Sequence, residues 1–127
     1  MTPTTPLLPT LESFLKLTNR REQAISANMA NVDTPGYRTR DIDFEGELKK
    51  AMTGVLSVSE KGSSTAQVNP VVQEVQGLME RPDGNNVDLD REGMLMAETQ
   101  LQYQIGVQLV KHQFHQILSA ITGGGQS

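Results

Sequence analysis

Few residues of this chain have types and spacings suited to chemistry, and most of them lie in its last third. His112 and His115 stand three apart, a spacing that can hold a metal ion inside a helical bundle. No carboxylate lies in register beside them, and the chain has no cysteine. We therefore interpret the two histidines as part of a solvated helix face.

The stretch from Asp88 to Gly93 resembles the start of an EF-hand loop, with acids at the first, third and fifth positions and glycine at the sixth. The twelfth position, which should be a bidentate glutamate, is Thr99. Acids are also favoured at the positive N-terminus of a helix, and that interpretation explains Asp90 and Glu92 better. A calcium-binding regulator that uses Asp88, Asp90 and Glu92 stays as an alternative.

No other pattern indicates catalysis. The sequence contains no Gly-rich phosphate loop, no Ser/His/Asp set and no pair of carboxylates at catalytic spacing. Without cysteine it can form no disulfide, thiol nucleophile or cysteine-ligated metal site. We predict a non-enzymatic protein with no cofactor and no metal.

Composition points to a chain that packs on other chains. Its 127 residues suit about one domain, yet only 36% are apolar and 4% aromatic, below the roughly 45–50% apolar share of globular proteins. The net charge of −4 argues against nucleic-acid binding. No apolar run approaches the roughly 18 residues of a membrane span, and the start of the chain lacks the features of a secretory signal peptide.

The first predicted helix covers residues 10–33, after a proline-containing flexible segment, 1–9. Thr10 suits the N-cap position. Its apolar positions follow helical spacing over about 22 residues, roughly 33 Å. The positions at this spacing include Thr18 and Val32. The ones that we expect to pack on other helices are Leu11, Phe14, Leu15, Ile25 and Met29.

The second predicted helix covers residues 88–122, with Asp88 as N-cap and a flexible tail, 123–127, that begins with glycines. At about 35 residues, or about 52 Å, it exceeds the width of so small a globule and needs partners along its length. Gly93 and Gly106 inside it indicate close helix approach or local bending. Two rows repeat at steps of seven, and together they form what we call the seam: Leu89, Met96, Tyr103, Val110 and Ile117, with Val107, Phe114 and Ile121.

The region between the helices, 34–87, is predicted to be irregular. Its patterns favour an extended segment at 37–44, a short helix at 44–52, a loop at 59–65, a short strand at 68–75 and a turn at 81–86. We predict a mainly α fold in which the terminal helices form one discontinuous domain, an antiparallel hairpin or coiled coil. An ordinary small helical bundle fits the periodicity equally well.

The join after the first helix is the most specific stretch. It reads Ala-Asn-Met-Ala-Asn-Val-Asp-Thr-Pro-Gly-Tyr from residue 27 to residue 37 and resembles the A-N-x-A-N-x-x-T-P-G-Y signature of the flagellar rod and hook family of bacterial axial proteins. Asn28 and Asn31 stand where amides can bond the free carbonyls of a helix end or a neighbouring chain. Pro35 and Gly36 suit a type II turn, because glycine takes the positive φ.

Two further stretches resemble the proximal rod proteins, and most closely the B-type subunits nearest the membrane ring. Residues 37–44 fit Y-K-x-x-D-x-x-F, and residues 83–92 fit D-G-N-N-V-D-L-D-x-E. Gly93 departs from the methionine that we would expect next. The signature positions are Asn28, Asn31, Thr34, Pro35, Gly36, Tyr37, Asp83, Gly84, Asn85, Asn86 and Asp88.

The resemblance implies a structural subunit of the proximal rod in the flagellar basal body, with its terminal helices innermost around the export channel. It implies three kinds of assembly partner: copies of the chain, the adaptor that joins the rod to the membrane ring, and the next rod subunit. A neighbouring rod subunit of similar length stays as an alternative.

Export would use the flagellar type III apparatus, whose early substrates carry a Phe-x-x-x-hydrophobic motif. Phe44 with Leu48 and Phe114 with Leu118 both fit this motif. We favour Phe44, because it lies outside the seam. Packing residues alone would explain both phenylalanines equally well.

Overall fold

The computed structural model describes residues 7–61 and 69–123. The predicted flexible ends therefore lie largely outside the described residues. The elements in chain order are α1 (Leu7–Ala30), β1 (Arg40–Ile42), α2 (Phe44–Lys61), β2 (Val72–Glu74) and α3 (Leu89–Thr122). No helix among the described residues combines the length and apolar character needed to cross a membrane.

The two terminal helices pack against each other in antiparallel directions, which confirms the predicted hairpin. Asn28 near the end of α1 bonds Glu92 near the start of α3. Phe14, toward the start of α1, lies beside Gly106 in the middle of α3. The mainly helical fold predicted from periodicity is thus confirmed, with the terminal helices in contact.

Helix α1 begins earlier than its sequence indicated. The predicted start at Thr10 was wrong by three residues, because α1 begins at Leu7 and contains Pro9 in its first turn. Proline fits there because the first N–H groups of a helix have no intrahelical partner to lose. Leu17 is fully buried although it is absent from the predicted packing positions.

Helix α3 begins and ends where its sequence predicted. The Asp88 carboxylate accepts hydrogen bonds from the N–H groups of Asp90 and Arg91, and the helix ends at Thr122 with Gly123 as its C-cap. Its buried face carries Glu92, Thr99 and Gly106, which stand seven apart. The residues of α3 that face α1 are therefore small or polar, and the more apolar residues of the seam lie beside them.

Gly106 is the place where α1 and α3 approach most tightly. A Cβ atom on Gly106 would lie 2.7 Å from Leu15 Cδ2 and 3.1 Å from Phe14 Cδ1. At Gly93 a Cβ atom would meet nothing within 4 Å. Close helix approach is thus confirmed for Gly106. Gly93 makes no close approach, and local bending there stays a prediction.

The middle region is more regular than predicted. Strands β1 and β2 pair antiparallel, with Asp41 opposite Gln73, inside the extended segments that the sequence indicated. Helix α2 runs to Lys61, well past the predicted end at Met52, so the predicted loop at 59–65 is helical up to Lys61. The rest of that loop lies outside the described residues.

Aromatic packing holds α2 against α1. The Phe14 and Phe44 rings meet edge to face, with centroids 5.5 Å apart. The Arg21 guanidinium lies 6.0 Å from the centroid of the Phe44 ring. Such contacts add a favourable ring geometry to the burial of apolar area.

The two helix glycines give a test of the hairpin. We expect Gly93→Ala to raise the free energy of unfolding by about 1 kcal/mol, since alanine favours helix and its Cβ meets open space. Gly106→Ala has the same gain in helix propensity, but its Cβ must displace the Leu15 and Phe14 side chains. We therefore expect the free energy of unfolding to rise by less than in Gly93→Ala, or to fall. Urea denaturation of both variants measures the difference, and equal stabilisation would show that α1 does not crowd Gly106.

Candidate assembly surface and the polar clasp that holds it

A buried network of polar side chains joins the end of α1 to the start of α3. We call it the polar clasp and define it as Asn28, Tyr37, Asn85, Asn86 and Glu92. All of these residues except Tyr37 are buried, and they belong to the two stretches that carried the sequence resemblance. The clasp decides how the helices are presented to other chains.

Asn28 is the centre of the clasp. Its Nδ2 donates hydrogen bonds to the carbonyl of Arg40 at 2.8 Å and to Glu92 Oε2 at 3.0 Å. Its Oδ1 accepts from the Tyr37 hydroxyl at 3.0 Å and from the Arg40 N–H at 3.0 Å. One amide thus uses both donors and both acceptor positions to join α1, β1 and α3.

Glu92 is fully buried, and its charge is compensated by neighbouring groups. Arg91 Nη1 donates to Glu92 Oε1 at 2.7 Å, and Arg91 Nη2 lies 3.9 Å from Asp41 Oδ2. Asp41 in turn accepts two hydrogen bonds from Arg21, at 3.2 Å and 3.1 Å. A buried carboxylate without such partners would be strongly destabilising.

The structure corrects the sequence interpretation of Glu92. We expected its side chain to serve the positive end of α3, but it points inward to Asn28 and Arg91. The signal in the sequence was the row of Glu92, Thr99 and Gly106, which keeps the seven-residue step. Because that row is not apolar, a search for hydrophobic periodicity passes over it.

Asn85 and Asn86 hold the other side of the clasp. Asn85 Nδ2 donates to the carbonyls of Asn31 and Thr34, each at 2.9 Å. Asn86 Oδ1 accepts from the Thr39 N–H at 2.6 Å. These two carbonyls also accept backbone N–H groups, from Thr34 and Tyr37, so Asn85 adds a long-range bond to a turn that is already closed locally.

Two glycine turns lie back to back beside these amides. Gly36 has φ of 77° and Gly84 has φ of 85°, and the Tyr37 N–H bonds the Thr34 carbonyl at 3.2 Å. These values confirm the predicted turn at Pro35 and Gly36. A Cβ atom on Gly84 would lie 3.3 Å from Gly36 Cα, which is a tight contact, and the positive φ of Gly84 also disfavours a side chain.

Asn31 ends α1 in the way its sequence position suggested. Its Nδ2 donates to the Ala27 carbonyl at 2.8 Å, and its Oδ1 accepts from the Thr34 hydroxyl at 3.0 Å. Asn28 instead bonds β1 and α3 within the same chain. The amide pair therefore has one member that ends the helix and one that fixes the tertiary contact.

Burial raises the pKa of the Tyr37 phenol above its ordinary value of 10.0. The nearby Arg40 opposes that rise, and the carboxylate of Glu92 adds to it. The neutral hydroxyl is the form that donates to Asn28. The clasp consequently needs Tyr37 to keep its proton.

The predicted packing residues divide into three groups in the structure. Leu11 and Ile25 are buried within the hairpin. Five are half-buried: Phe14, Leu15, Met96, Val107 and Val110. The others are exposed: Met29, Leu89, Tyr103, Phe114, Ile117 and Ile121.

The seam therefore leaves much of its apolar area on the surface. Further large apolar residues on α3 are also exposed: Met94, Leu101, Ile105, Leu109 and Leu118. Exposed apolar area of this extent is typical of a surface that binds other chains. These residues lie on more than one side of α3, and together we take them as the candidate assembly surface.

The two export-motif matches differ in their surroundings. Phe44 and Leu48 are half-buried, and the Phe44 ring packs on Phe14. Phe114 and Leu118 are both more than half exposed near the end of α3. In the folded chain Phe44 thus has a packing role, which was one of the two interpretations of its sequence.

The acids and histidines do not form a metal site in the part of the chain that the structure describes. The Asp88 carboxylate caps α3, while the Glu92 carboxylate is turned inward to Asn28. The two carboxylates are therefore committed to different partners, which argues against the calcium alternative. His112 and His115 are exposed.

Comparison with known proteins finds close relatives although no family model matches the chain. It is 37% identical over 125 residues to the flagellar basal body rod protein FlgB of Salmonella typhimurium, covering 89% of this chain and 91% of that protein. The Escherichia coli protein of the same description is 35% identical over the same shares. That of Aeromonas hydrophila is 29% identical over 115 residues, covering 86% of this chain and 87% of the relative.

Asn28→Ala tests the centre of the clasp. It removes four hydrogen bonds and leaves Glu92 Oε2 and the Arg40 backbone without their Asn28 partner, so we expect the free energy of unfolding to fall by at least about 2 kcal/mol. Asn31→Ala is the matched control, because the hydrogen bond from its side-chain amide is exposed. Its loss should lower the free energy of unfolding by about 1 kcal/mol or less. Urea denaturation measures the unfolding free energy of both variants. Similar decreases would show that Asn28 does not stabilise the fold more than Asn31 does.

Tyr37→Phe tests the protonation requirement. A pKa raised in the folded state means that the tyrosine's contribution is complete below about pH 10 and is lost as pH rises above it. The difference in unfolding free energy between wild type and Tyr37→Phe should therefore be constant below about pH 10 and shrink above it. Unfolding curves from neutral to alkaline pH measure this, and a constant difference throughout would contradict it.

Proposed function

Since the chain belongs to the FlgB family of flagellar basal body rod proteins, we propose that it builds the proximal part of the flagellar rod. It is a structural subunit and not an enzyme. Membership of a rod family implies assembly with other rod subunits. The observation that carries the proposal is the apolar surface of α3, which one chain alone leaves exposed.

The hairpin suits a subunit that must be added to a growing rod. Its register is set by buried polar bonds, which are directional, so α1 and α3 present a defined surface before any partner arrives. The apolar residues on the outside of α3 then remain for contacts between chains. We propose that the terminal helices lie innermost and pack helically on neighbouring subunits around the export channel.

The proposed partners follow from that position. Copies of the chain lie on either side, the adaptor that joins the rod to the membrane ring lies below, and the next rod subunit lies above. The proposed contact residues are the exposed members of the seam together with Met29. Asn28 and Glu92 of the clasp are not proposed as contact residues, because their side chains are already paired within the chain.

We further propose that the flagellar type III apparatus exports the chain and that Phe44 and Leu48 form its recognition motif. Both side chains are half-buried in the folded chain. Recognition would therefore take place before folding, when Phe44 does not yet contact Phe14. A narrow export channel also requires an unfolded chain.

Complementation of a deletion strain tests the rod function. The strain should lack flagella while keeping its membrane ring, and the wild-type gene should restore swimming. Ile117→Asp should fail to restore it, because a charge would be buried unpaired between subunits, and Val110→Asp should fail as well. Gln116→Asp is the control, since Gln116 is exposed on the same helix.

Two results would count against this assignment. Normal swimming of the deletion strain would refute the rod function. Flagella in the Ile117→Asp strain would show that the buried face of α3 lies elsewhere. The purified Ile117→Asp chain should be as helical as the wild type, which circular dichroism checks.

A further inference from the structure

Asp83 and Gly84 form the one place in the sequence where an aspartate or asparagine precedes a glycine. At such a step the backbone nitrogen of the glycine can attack the side-chain carboxyl carbon of the aspartate, because glycine has no Cβ atom to hinder the approach. A C–N bond forms, and a carboxyl oxygen leaves as water together with the amide proton. The product is a cyclic succinimide.

Hydrolysis of the succinimide decides the final product. Water that opens the ring at the former side-chain carbonyl restores aspartate. Water that opens it at the former main-chain carbonyl gives isoaspartate, in which the main chain runs through the former side chain. The overall change is an isomerisation that needs no oxidant, reductant or other reagent besides water.

In the folded chain, hydrogen bonds engage both reacting groups of this step with other partners. The Gly84 N–H donates to the Arg81 carbonyl at 2.9 Å. The Asp83 Oδ1 accepts from the Asn85 N–H at 3.0 Å and lies 3.9 Å from Arg81 Nε. Ring closure requires the Gly84 nitrogen to lose its proton and bond the Asp83 side chain, so the bond to Arg81 must break first.

The peptide between the two residues is also anchored to the turn after α1. The Gly36 N–H donates to the Asp83 carbonyl at 2.9 Å. A Cβ atom on Gly84 would lie 3.3 Å from Gly36 Cα, so the two turns are in close contact here. The Asn85 side chain, next along the chain, bonds two carbonyls at the end of α1. Rotation of this peptide toward the Asp83 side chain therefore disturbs the polar clasp.

Hydrogen bonding protects this step, and burial does not. The Asp83 side chain is 42% exposed, so water reaches its carboxyl group. Asn85 and Asn86, which follow it closely, are buried. The reaction thus has access to its only reagent in the folded chain but lacks the freedom of the backbone that ring closure requires.

We propose that Asp83 is a modification site, where isoaspartate forms while the chain is unfolded and is suppressed once the turn closes. The proposal does not depend on the rod function. Isoaspartate adds a carbon atom to the main chain between Asp83 and Gly84, and it converts the carbonyl that accepts from Gly36 into a free carboxylate. Asn85 is then displaced from its partners, and the modified chain cannot close the polar clasp. The time that a chain spends unfolded consequently limits its ability to fold.

The rate of isoaspartate formation tests the protection. Purified wild-type chain is incubated at neutral pH and one temperature, either in native buffer or in urea that unfolds it completely. Digestion with Asp-N, which cleaves before aspartate but not before isoaspartate, followed by mass spectrometry measures the product at Asp83. We expect it to form at least about tenfold more slowly in native buffer, because the turn must open before the ring can close.

Two controls accompany this measurement. A synthetic peptide of residues 79–88, incubated in the same two solutions, corrects for the effect of urea on the chemistry. Asp33 is the control within the chain, because it is exposed as well but precedes Thr34, whose branched Cβ hinders the attack, and it should stay aspartate throughout. Equal corrected rates in the folded and unfolded chain would overturn the protection. Absence of isoaspartate at Asp83 in urea would overturn the site.

Refolding tests the consequence for the polar clasp. Wild-type chain aged in urea and then diluted should regain helicity, measured by circular dichroism, only in the fraction that still carries aspartate at Asp83. Asp83→Glu keeps the charge but forms its larger imide ring much more slowly, so its refolding should be the same before and after ageing.

Two refolding results would contradict the proposal. Complete refolding of aged wild-type chain that carries isoaspartate would show that the modification leaves the polar clasp intact. An equal loss of refolding in Asp83→Glu would show that the damage lies elsewhere in the chain. The rate measurement uses only the wild-type chain, so it decides whether Asp83 is the site even where Asp83→Glu does not fold.

Discussion

The bond between the Asn28 amide and the Glu92 carboxylate is the interaction on which the rest of the structure depends. It joins residues 64 positions apart and lies in a buried site, where an unpaired carboxylate would be costly. Slippage of α1 along α3 would leave Glu92 buried without Asn28. A purely apolar contact is much less directional, so this polar pair gives the hairpin one register.

That register decides which surfaces remain for other chains. Because the inner row of α3 is Glu92, Thr99 and Gly106, the hairpin closes without using most of the apolar residues of α3. The usual arrangement of a soluble domain, with apolar residues inside and polar residues outside, is therefore partly reversed along this helix. An inner contact built from directional bonds and a close glycine approach leaves the apolar area for assembly, where it is buried only once subunits meet.

The residues of the family resemblance acquire a structural meaning from the clasp. The stretch from Asn28 to Tyr37 and the stretch from Asp83 to Glu92 lie far apart in sequence and bond each other through Asn28 and Asn85. Gly84 keeps that approach unstrained, because a Cβ atom there would lie 3.3 Å from Gly36 Cα. What reads as two separate motifs is therefore one site, whose task is to hold the terminal helices together.

Interactions between residues close in sequence were sufficient to predict much of the fold. The sequence by itself determined the long C-terminal helix with its Asp88 cap, the glycine turn after α1, the short strands and the family, because capping, turn geometry and periodicity depend on neighbours in the chain. It placed the start of α1 and the end of α2 less well. The start of α1 was missed because proline is tolerated in a first turn. Only the tertiary structure decided that Glu92 lies inside, that Gly106 but not Gly93 is a contact point, and which side of α3 stays exposed. These depend on a partner helix many residues away, and amphipathic spacing cannot choose between two usable faces of one helix.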